Sequence, residues 1–82
     1  MEKRIFDYDV YCYGIKEYKL TFENPEDAEA AFDRAVDWSS SYRGIYDQWI
    51  GNEEIYIICN NEVLHQFIRE VLEAELGLQK GE

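Results

Sequence analysis

The sequence predicts an α+β fold in the order β-β-α-β-β-α, with a four-stranded antiparallel sheet and two helices packed on one face. Three observations support this prediction. Apolar and polar side chains alternate in two neighbouring segments, a short β-branched and aromatic run spans residues 55–59, and an asparagine precedes each of two helical patterns. With 82 residues, we expect a single compact domain over 1–82 in which 79–82 form a frayed tail.

The first two strands form a predicted hairpin. Side chains alternate in residues 4–13 and again in residues 16–23, and Gly14 lies at the turn between them. One side of this hairpin is mostly apolar and the other is rich in charge, which is typical of a sheet with one buried face. Together with the apolar run at residues 55–59, this face is expected to lie under the helices, which cover Phe6, Tyr8, Val10, Tyr18, Leu20, Phe22, Ile55, Ile57 and Cys59.

The first helix begins at Asn24 and is predicted to end near Trp38. Asparagine is a favoured N-cap, Pro25 suits the first helical position, and the acidic residues that follow favour the positive end of the helix dipole. The predicted inner stripe is Ala28, Ala31, Phe32, Ala35 and Val36. The predicted outer face carries Glu26, Glu29, Asp33 and Asp37.

The second half of the chain has the same order of elements. Residues 42–50 are predicted to form the third strand, with Gly44 at a bulge, and a turn at residues 51–52 leads to the fourth strand, residues 54–59. Asn60 caps the second helix, and Gly77 ends it with Leu78 packed back on the last turn. The similarity of the two halves has two interpretations. Either the chain contains a duplicated ββα unit, or the similarity is only that which any two hairpin–helix units share.

Net charge is the strongest global property of the chain. Eighteen acidic residues stand against eight basic ones, giving a net charge of −10. A field of this sign repels nucleic acid and anionic membrane surfaces, whereas it attracts a basic protein surface. We therefore expect a basic protein partner, with no direct nucleic-acid and no membrane partner. The alternative is that the charge only keeps the protein soluble.

The uncovered face of the predicted sheet combines tyrosine with carboxylates. Such a face is either a binding surface or a dimer interface, and the alternative is an ordinary solvated face. Its predicted members are Asp7, Asp9, Tyr11, Tyr13, Glu17, Lys19, Glu23, Glu54, Tyr56 and Ile58.

Cysteine content and the chain start favour a cytoplasmic protein. Cys12 and Cys59 are too few for a disulfide scaffold, and the sequence leaves open whether they lie close together. We expect reduced thiols, because the first residues turn acidic before any hydrophobic region and so do not resemble a signal peptide.

No catalytic or cofactor motif stands out, so we expect no enzymatic activity, no cofactor and no metal. His65 follows Glu62 at a spacing used in di-iron helix bundles, but one histidine and two helices cannot complete such a site. A cysteine nucleophile would need His65 as its base. Both cysteines fall on the predicted core face, whereas His65 falls on the outer face of its helix. The carboxylates of Asp7 and Asp9 lie on one face of a predicted strand and are suitable ligands for a hard cation, but no ligand-rich loop accompanies them, so we do not expect a metal site.

The function predicted from these observations is a small non-enzymatic, acidic protein-binding module. The sharper hypothesis is an inhibitor, of the kind that phages or mobile elements encode, whose carboxylates replace phosphates in a nucleic-acid-binding site of its target. The alternative is a structural homodimer that uses the open sheet face or an edge strand. The predicted contact residues are, first, Asp7, Asp9, Tyr11, Tyr13, Glu17 and Tyr56 and, second, Glu26, Glu29, Asp33 and Asp37.

Overall fold

The structure is a computed structural model that describes the backbone of residues 4–12 and 16–81 and the side chains of residues 4–9 and 16–81. Within these residues the chain forms an α+β fold with two helices and one mixed sheet. The strands and helices are β1 (Ile5–Cys12), β2 (Glu17–Phe22), α1 (Pro25–Ser40), β3 (Asp47–Gly51), β4 (Glu54–Ile58), α2 (Asn61–Phe67), its π-helical continuation (Ile68–Glu75) and β5 (Gln79–Lys80).

The sheet has the strand order β3-β4-β2-β1-β5. The first four of these strands pair antiparallel, as predicted, whereas β5 pairs parallel to β1. The two hairpins therefore meet at β2 and β4, with β1 and β3 in equivalent outer positions. This order suits a duplicated ββα unit, which stays a prediction.

The fifth strand corrects the prediction of a four-stranded antiparallel sheet with a frayed tail. Gly77, at φ 71°, reverses the chain after the second helix, and the side chain of Leu78 is buried in the core. Backbone hydrogen bonds then join Gln79 N–H to Arg4 O at 2.9 Å and Gly81 N–H to Phe6 O at 2.7 Å. The polar tail is ordered because the edge of β1 supplies its backbone partners.

Both helices pack on one face of the sheet and share a single core with it. The ring of Trp38 in α1 meets that of Phe67 in α2 edge-on, with the centroids 5.2 Å apart. The predicted sheet positions with described side chains are buried or half-buried on this side. Buried core members from the sheet are Phe6, Tyr18, Leu20, Phe22, Ile55, Ile57 and Cys59, and Tyr8 packs against them half-buried.

Both predicted helix starts are confirmed by their capping hydrogen bonds. The side-chain oxygen of Asn24 accepts from Asp27 N–H at 2.8 Å, and that of Asn60 accepts from Val63 N–H at 2.9 Å. The first helix continues to Ser40 rather than ending near Trp38. Local side-chain capping explains why these starts were readable from sequence.

The third strand is shorter than predicted, because residues 42–46 form a loop. Gly44 takes a φ of 110°, and a Cβ atom at this position would lie 2.6 Å from Val63 Cγ2. Gly44 therefore allows a close approach of the loop to α2 and does not mark a strand bulge. The irregularity of the sheet lies instead in β1, where the register shifts between Val10 and Cys12.

Candidate functional site

The exposed large hydrophobic side chains of the described residues gather around β3. Their exposed fractions run from 37% for Val36 and Ile50 to 94% for Tyr42. Two lie in β3, two lie in the loop that enters it, and one lies on α1, the helix that packs against it. We call this surface the β3 side; it consists of Val36, Tyr42, Tyr46, Trp49 and Ile50.

The position of Val36 follows from the two flanks of α1. Arg34 marks the flank towards the second helix, because its Nε lies 2.7 Å from Glu75 Oε2. Successive helical residues are rotated by about 100°, so Val36 and Ser39 lie on the other flank. Ser39 lines a cleft together with Tyr46, the residue that precedes β3. The prediction that Val36 belongs to the inner stripe is therefore wrong, and the buried residue at this end of α1 is Trp38.

On the open face of the sheet, Trp49 stacks against Tyr56. Their ring centroids are 6.1 Å apart and their planes differ by 16°. The two residues are direct partners across the β3–β4 ladder, and the same row continues through Lys19 and Asp9. The stacked pair thus forms an apolar end of this face, next to Ile58 on β4.

The carboxylates of the open face are partly neutralised. The Nζ of Lys80 lies 3.3 Å from Asp7 Oδ1, and that of Lys19 lies 3.7 Å from Glu54 Oε2. The pKa of Asp7 lies below its usual value, first because Tyr8 N–H donates to its carboxylate and second because of Lys80. Asp9 on β1, which lies in the same cross-strand row as Trp49 on β3, is three strand spacings, about 14 Å, from it.

The outer face of α1 keeps more uncompensated negative charge. Glu26, Glu29 and Asp33 are exposed, and none of them belongs to an ion pair with another described residue. Asp37 continues this face and lies 3.9 Å from Arg34. Neighbouring carboxylates at this spacing are about 5–6 Å apart at their Cβ atoms. We call these residues the acidic stripe: Glu26, Glu29, Asp33 and Asp37.

The two predicted contact sets lie on opposite sides of the molecule. The helices cover one face of the sheet, so the acidic stripe faces away from the open face. Asp7, Asp9, Glu17 and Tyr56 share the open face with Trp49. The predictions for Tyr11 and Tyr13 lie outside the described side chains. The β3 side borders both surfaces, since Trp49 is on the open face and Val36 is on the flank of α1.

The loop before β3 is firmly held although its tyrosines are exposed. The guanidinium of Arg43 lies 4.0 Å from the centre of the Trp38 ring, and one of its nitrogens is 3.1 Å from Glu70 Oε1. Together with the close approach of Gly44 to α2, these contacts fix the loop that carries Tyr42 and Tyr46. The cleft between this loop and the end of α1 has a volume of about 490 Å³ and is lined by Ser39, Tyr42, Gly44, Ile45 and Tyr46.

The cysteine and histidine considered for catalysis are in different environments. Cys59 is buried, and burial raises the pKa of its thiol to about 12. At neutral pH this thiol is protonated and therefore a weak nucleophile. His65 is exposed on α2, with its ring edge-on to Tyr8 at 6.1 Å between centroids. Among the residues that the structure describes, no group of three or more His, Cys, Asp or Glu is arranged to hold a metal ion.

Sequence reasoning missed all five members of the β3 side as contact residues: Val36, Tyr42, Tyr46, Trp49 and Ile50. A signal for Trp49 was present. A two-residue loop at residues 52–53 places Trp49 opposite Tyr56, which was already assigned to the open face. The exposure of Val36 had no comparable signal, because it depends on where α1 lies relative to the edge of the sheet.

Comparison with protein-family models, curated protein sequences and solved structures finds no match for this chain. In the described part of the chain, every helix is too short or too polar to cross a membrane. The geometry of the surfaces described above therefore carries the functional inference.

Proposed function

We propose that this protein is a small non-enzymatic module that binds a basic protein surface in the cytoplasm. The observation that supports this most directly is the position of the β3 side between two acidic surfaces. Aromatic and aliphatic side chains that are exposed together commonly mark protein-binding sites, and Trp and Tyr are frequent anchors in interfaces. Carboxylates around such an anchor favour partners of opposite charge and speed their approach.

The acidic stripe supplies the charge on the helix side of this surface. Within the stripe, Asp37 lies 3.9 Å from Arg34, whereas Glu26, Glu29 and Asp33 have no cationic partner among the described residues. A net charge of −10 adds a long-range attraction for a basic protein. The sharper form of the proposal is that the stripe replaces phosphates in a nucleic-acid-binding site of the target, as an inhibitor from a phage or mobile element would.

A pull-down from lysate tests the proposal with two charge-reversed baits. The test bait carries Glu29→Lys and Asp33→Lys, and the control bait carries Glu62→Lys and Glu73→Lys on the second helix. Both pairs are exposed and change the net charge equally. We expect the native and control baits to retain one basic protein that the test bait loses and that salt releases.

Two results would contradict this proposal. If both variants lose the same proteins to the same extent, net charge alone controls retention and the acidic stripe has no special role. If the native bait retains no basic protein, the charge only maintains solubility. For the inhibitor form, nucleic acid must compete with this protein for the retained partner; simultaneous binding of both would exclude it.

The second candidate function is a homodimer formed through an edge strand. It is favoured by the open edge of β3, which can pair with the same strand of another copy. Because each copy carries −10, such a dimer must bring together like charges. Light scattering separates the two candidate functions. A monomer across the accessible concentration range excludes the homodimer, whereas a dimer that is insensitive to salt favours the homodimer over a module that binds a basic protein.

A further inference from the structure

The two edges of the sheet are protected very differently. The far edge consists of β5, which has two residues including the charged Lys80 and pairs only with Ile5 and Phe6, and of the remainder of β1. That remainder carries Asp7 and Asp9 and has a register shift between Val10 and Cys12, both features that discourage the pairing of an edge with another strand. The β3 edge has five residues without proline or lysine, and its single charged side chain is Asp47 at the first position. Natural proteins commonly protect an exposed edge by making it short, adding lysine or proline, or covering it. Among the described residues, no strand pairs with the outer edge of β3.

This unprotected edge offers backbone groups to a further strand. In an antiparallel ladder, alternate residues direct their N–H and C=O groups to opposite sides. The alternate residues of β3 that do not bond to β4 therefore present these groups at the outer edge. An extended segment of another protein can use such groups by adding itself to the sheet.

The side chains beside this edge differ on its two faces. On the helix side an added strand would meet Val36 and Ile50, both 37% exposed, with Glu29 two turns earlier on the same flank of α1. On the open face it would meet Trp49, which is 41% exposed, and Asp47. Apolar residues suit the first environment. Lysine or arginine suits the second, through the carboxylate and through cation–π contact with the indole.

Charge decides between the two available kinds of strand. A second copy of this chain would bring its own net charge of −10 to an edge that is already flanked by Glu29, Asp33 and Asp47. A basic segment would be attracted by the same groups. The cleft lined by Tyr42 and Tyr46 lies just before β3 and extends the surface along which such a segment would run.

We propose that β3 binds an extended basic segment of the partner protein as an additional β-strand of the sheet. This inference rests on the proposed function and specifies the form in which the partner presents its charge. The segment alternates, with apolar side chains towards Val36 and Ile50 and cationic side chains towards Asp47 and Trp49. Backbone pairing supplies affinity, and the alternation supplies specificity.

The test uses two synthetic peptides of identical composition and charge. In one, valine and lysine alternate; in the other, the valines and the lysines form separate blocks. Each is titrated into the ¹⁵N-labelled protein, and the shifts and hydrogen exchange of backbone amides are measured by NMR. We expect the alternating peptide to shift the signals of Asp47–Gly51 and to slow amide exchange at the outer edge of β3. We expect the block peptide to bind more weakly and without this protection.

Two protein variants with the same charge change give a matched control. Ile50→Lys places a cation beside the apolar side chains that the alternating peptide should bring to this face. We expect the affinity for that peptide to fall at least about tenfold. Thr21→Lys lies on β2, away from the edge, and should change affinity much less. Equal effects of both variants would show charge attraction without strand addition and would overturn the inference.

Other outcomes separate this inference from the proposed function. If the identified partner binds but leaves the β3 amides unprotected, the strand-addition inference is wrong and the proposed function stands. If the peptide adds to β3 but the Glu29→Lys, Asp33→Lys bait still behaves as native, the proposed use of these carboxylates fails by itself. A dimer of the free protein that Ile50→Lys dissociates would show that the occupant is a second copy and would overturn the inference.

Discussion

Trp49 and Tyr56 stack across the β3–β4 hairpin, with their ring centroids 6.1 Å apart and their planes 16° from parallel. The two side chains are neighbours in the ladder, so the hairpin itself holds them together. Trp49 nevertheless remains 41% exposed. An aromatic pair that the hairpin already holds together loses little conformational entropy when a partner covers it. This combination distinguishes the pair from the buried aromatic residues of the core.

The first prediction concerns Trp49→Ala. We expect at most about 1 kcal/mol of stability to be lost, because an exposed cross-strand aromatic pair contributes on this scale. We expect the affinity for the partner to fall by about 2 kcal/mol or more, as for other aromatic anchors. Urea unfolding and calorimetric titration measure the two effects, with Thr21→Ala as the open-face control. Native affinity in Trp49→Ala would mean that the stack serves the sheet alone.

The second prediction concerns the close approach of Gly44 to Val63. Gly44→Ala should destabilise the protein by about 2–3 kcal/mol, because the new Cβ meets a β-branched side chain and the positive φ strains an L-residue. Gly51→Ala has open space around it and should change stability by less than about 1 kcal/mol. Equal denaturation midpoints for the two variants would contradict the assigned role of Gly44.

The third prediction concerns Arg4, which joins β1 to both helices. Its Nη1 lies 3.4 Å from Asp27 Oδ1, and its Nη2 donates to the backbone oxygen of Leu76. The Asp27 side chain is only 8% exposed, so Arg4→Met leaves a nearly buried carboxylate without its cation. Because Arg4 itself is half exposed, we expect a loss of about 1–2 kcal/mol.

Arg34→Met is the matched control for this arginine. Arg34 pairs with Glu75, and both side chains are about half exposed. Such a surface pair contributes less than about 1 kcal/mol. Chemical denaturation of both variants provides the comparison, and a larger loss for Arg34→Met than for Arg4→Met would refute the assigned importance of the Arg4–Asp27 pair.

The fourth prediction is a pH dependence that comes from Cys59. Burial raises the pKa of this thiol to about 12 in the folded protein, whereas the pKa of an unfolded cysteine is about 8.5. The protonated thiol therefore contributes fully to the free energy of unfolding below about pH 8.5. This contribution decreases as the pH rises towards the pKa of the folded state, because in this range only the unfolded state loses the proton. We expect unfolding free energies of a Cys12→Ala protein to decrease from pH 8 to pH 10. Adding Cys59→Ala should make this decrease smaller, and an unchanged slope would argue against burial of the thiol.

Local signals in the sequence explain what could be predicted of the fold. Asn24 and Asn60 cap helices through their own side chains, and Gly77 ends the second helix by its positive φ. Each of these features is determined within a few residues. The α+β class and the covered sheet face follow from side-chain periodicity, which is also local.

Contacts between distant segments explain what could not be predicted. Strand β5 forms because residues 79–81 meet the free edge of β1, and its own composition carries no strand signal. The segment around Gly44 is rich in β-forming residues, but its contact with Val63 requires a loop. The exposure of Val36 depends on how α1 crosses the sheet. The β3 side was therefore missed, although both acidic surfaces beside it had been named.

The most direct test of the central claim is the affinity of the purified partner for three forms of this protein at low and high salt. The three forms are the native chain, the double variant Glu29→Lys, Asp33→Lys in the acidic stripe, and the control double variant Glu62→Lys, Glu73→Lys on the second helix. We predict that the first pair of substitutions weakens binding at least about tenfold more than the second and reduces the dependence of affinity on salt. Equal affinities and equal salt dependence for the two charge-reversed forms would contradict the claim that the acidic stripe beside the β3 side directs the binding of a basic partner.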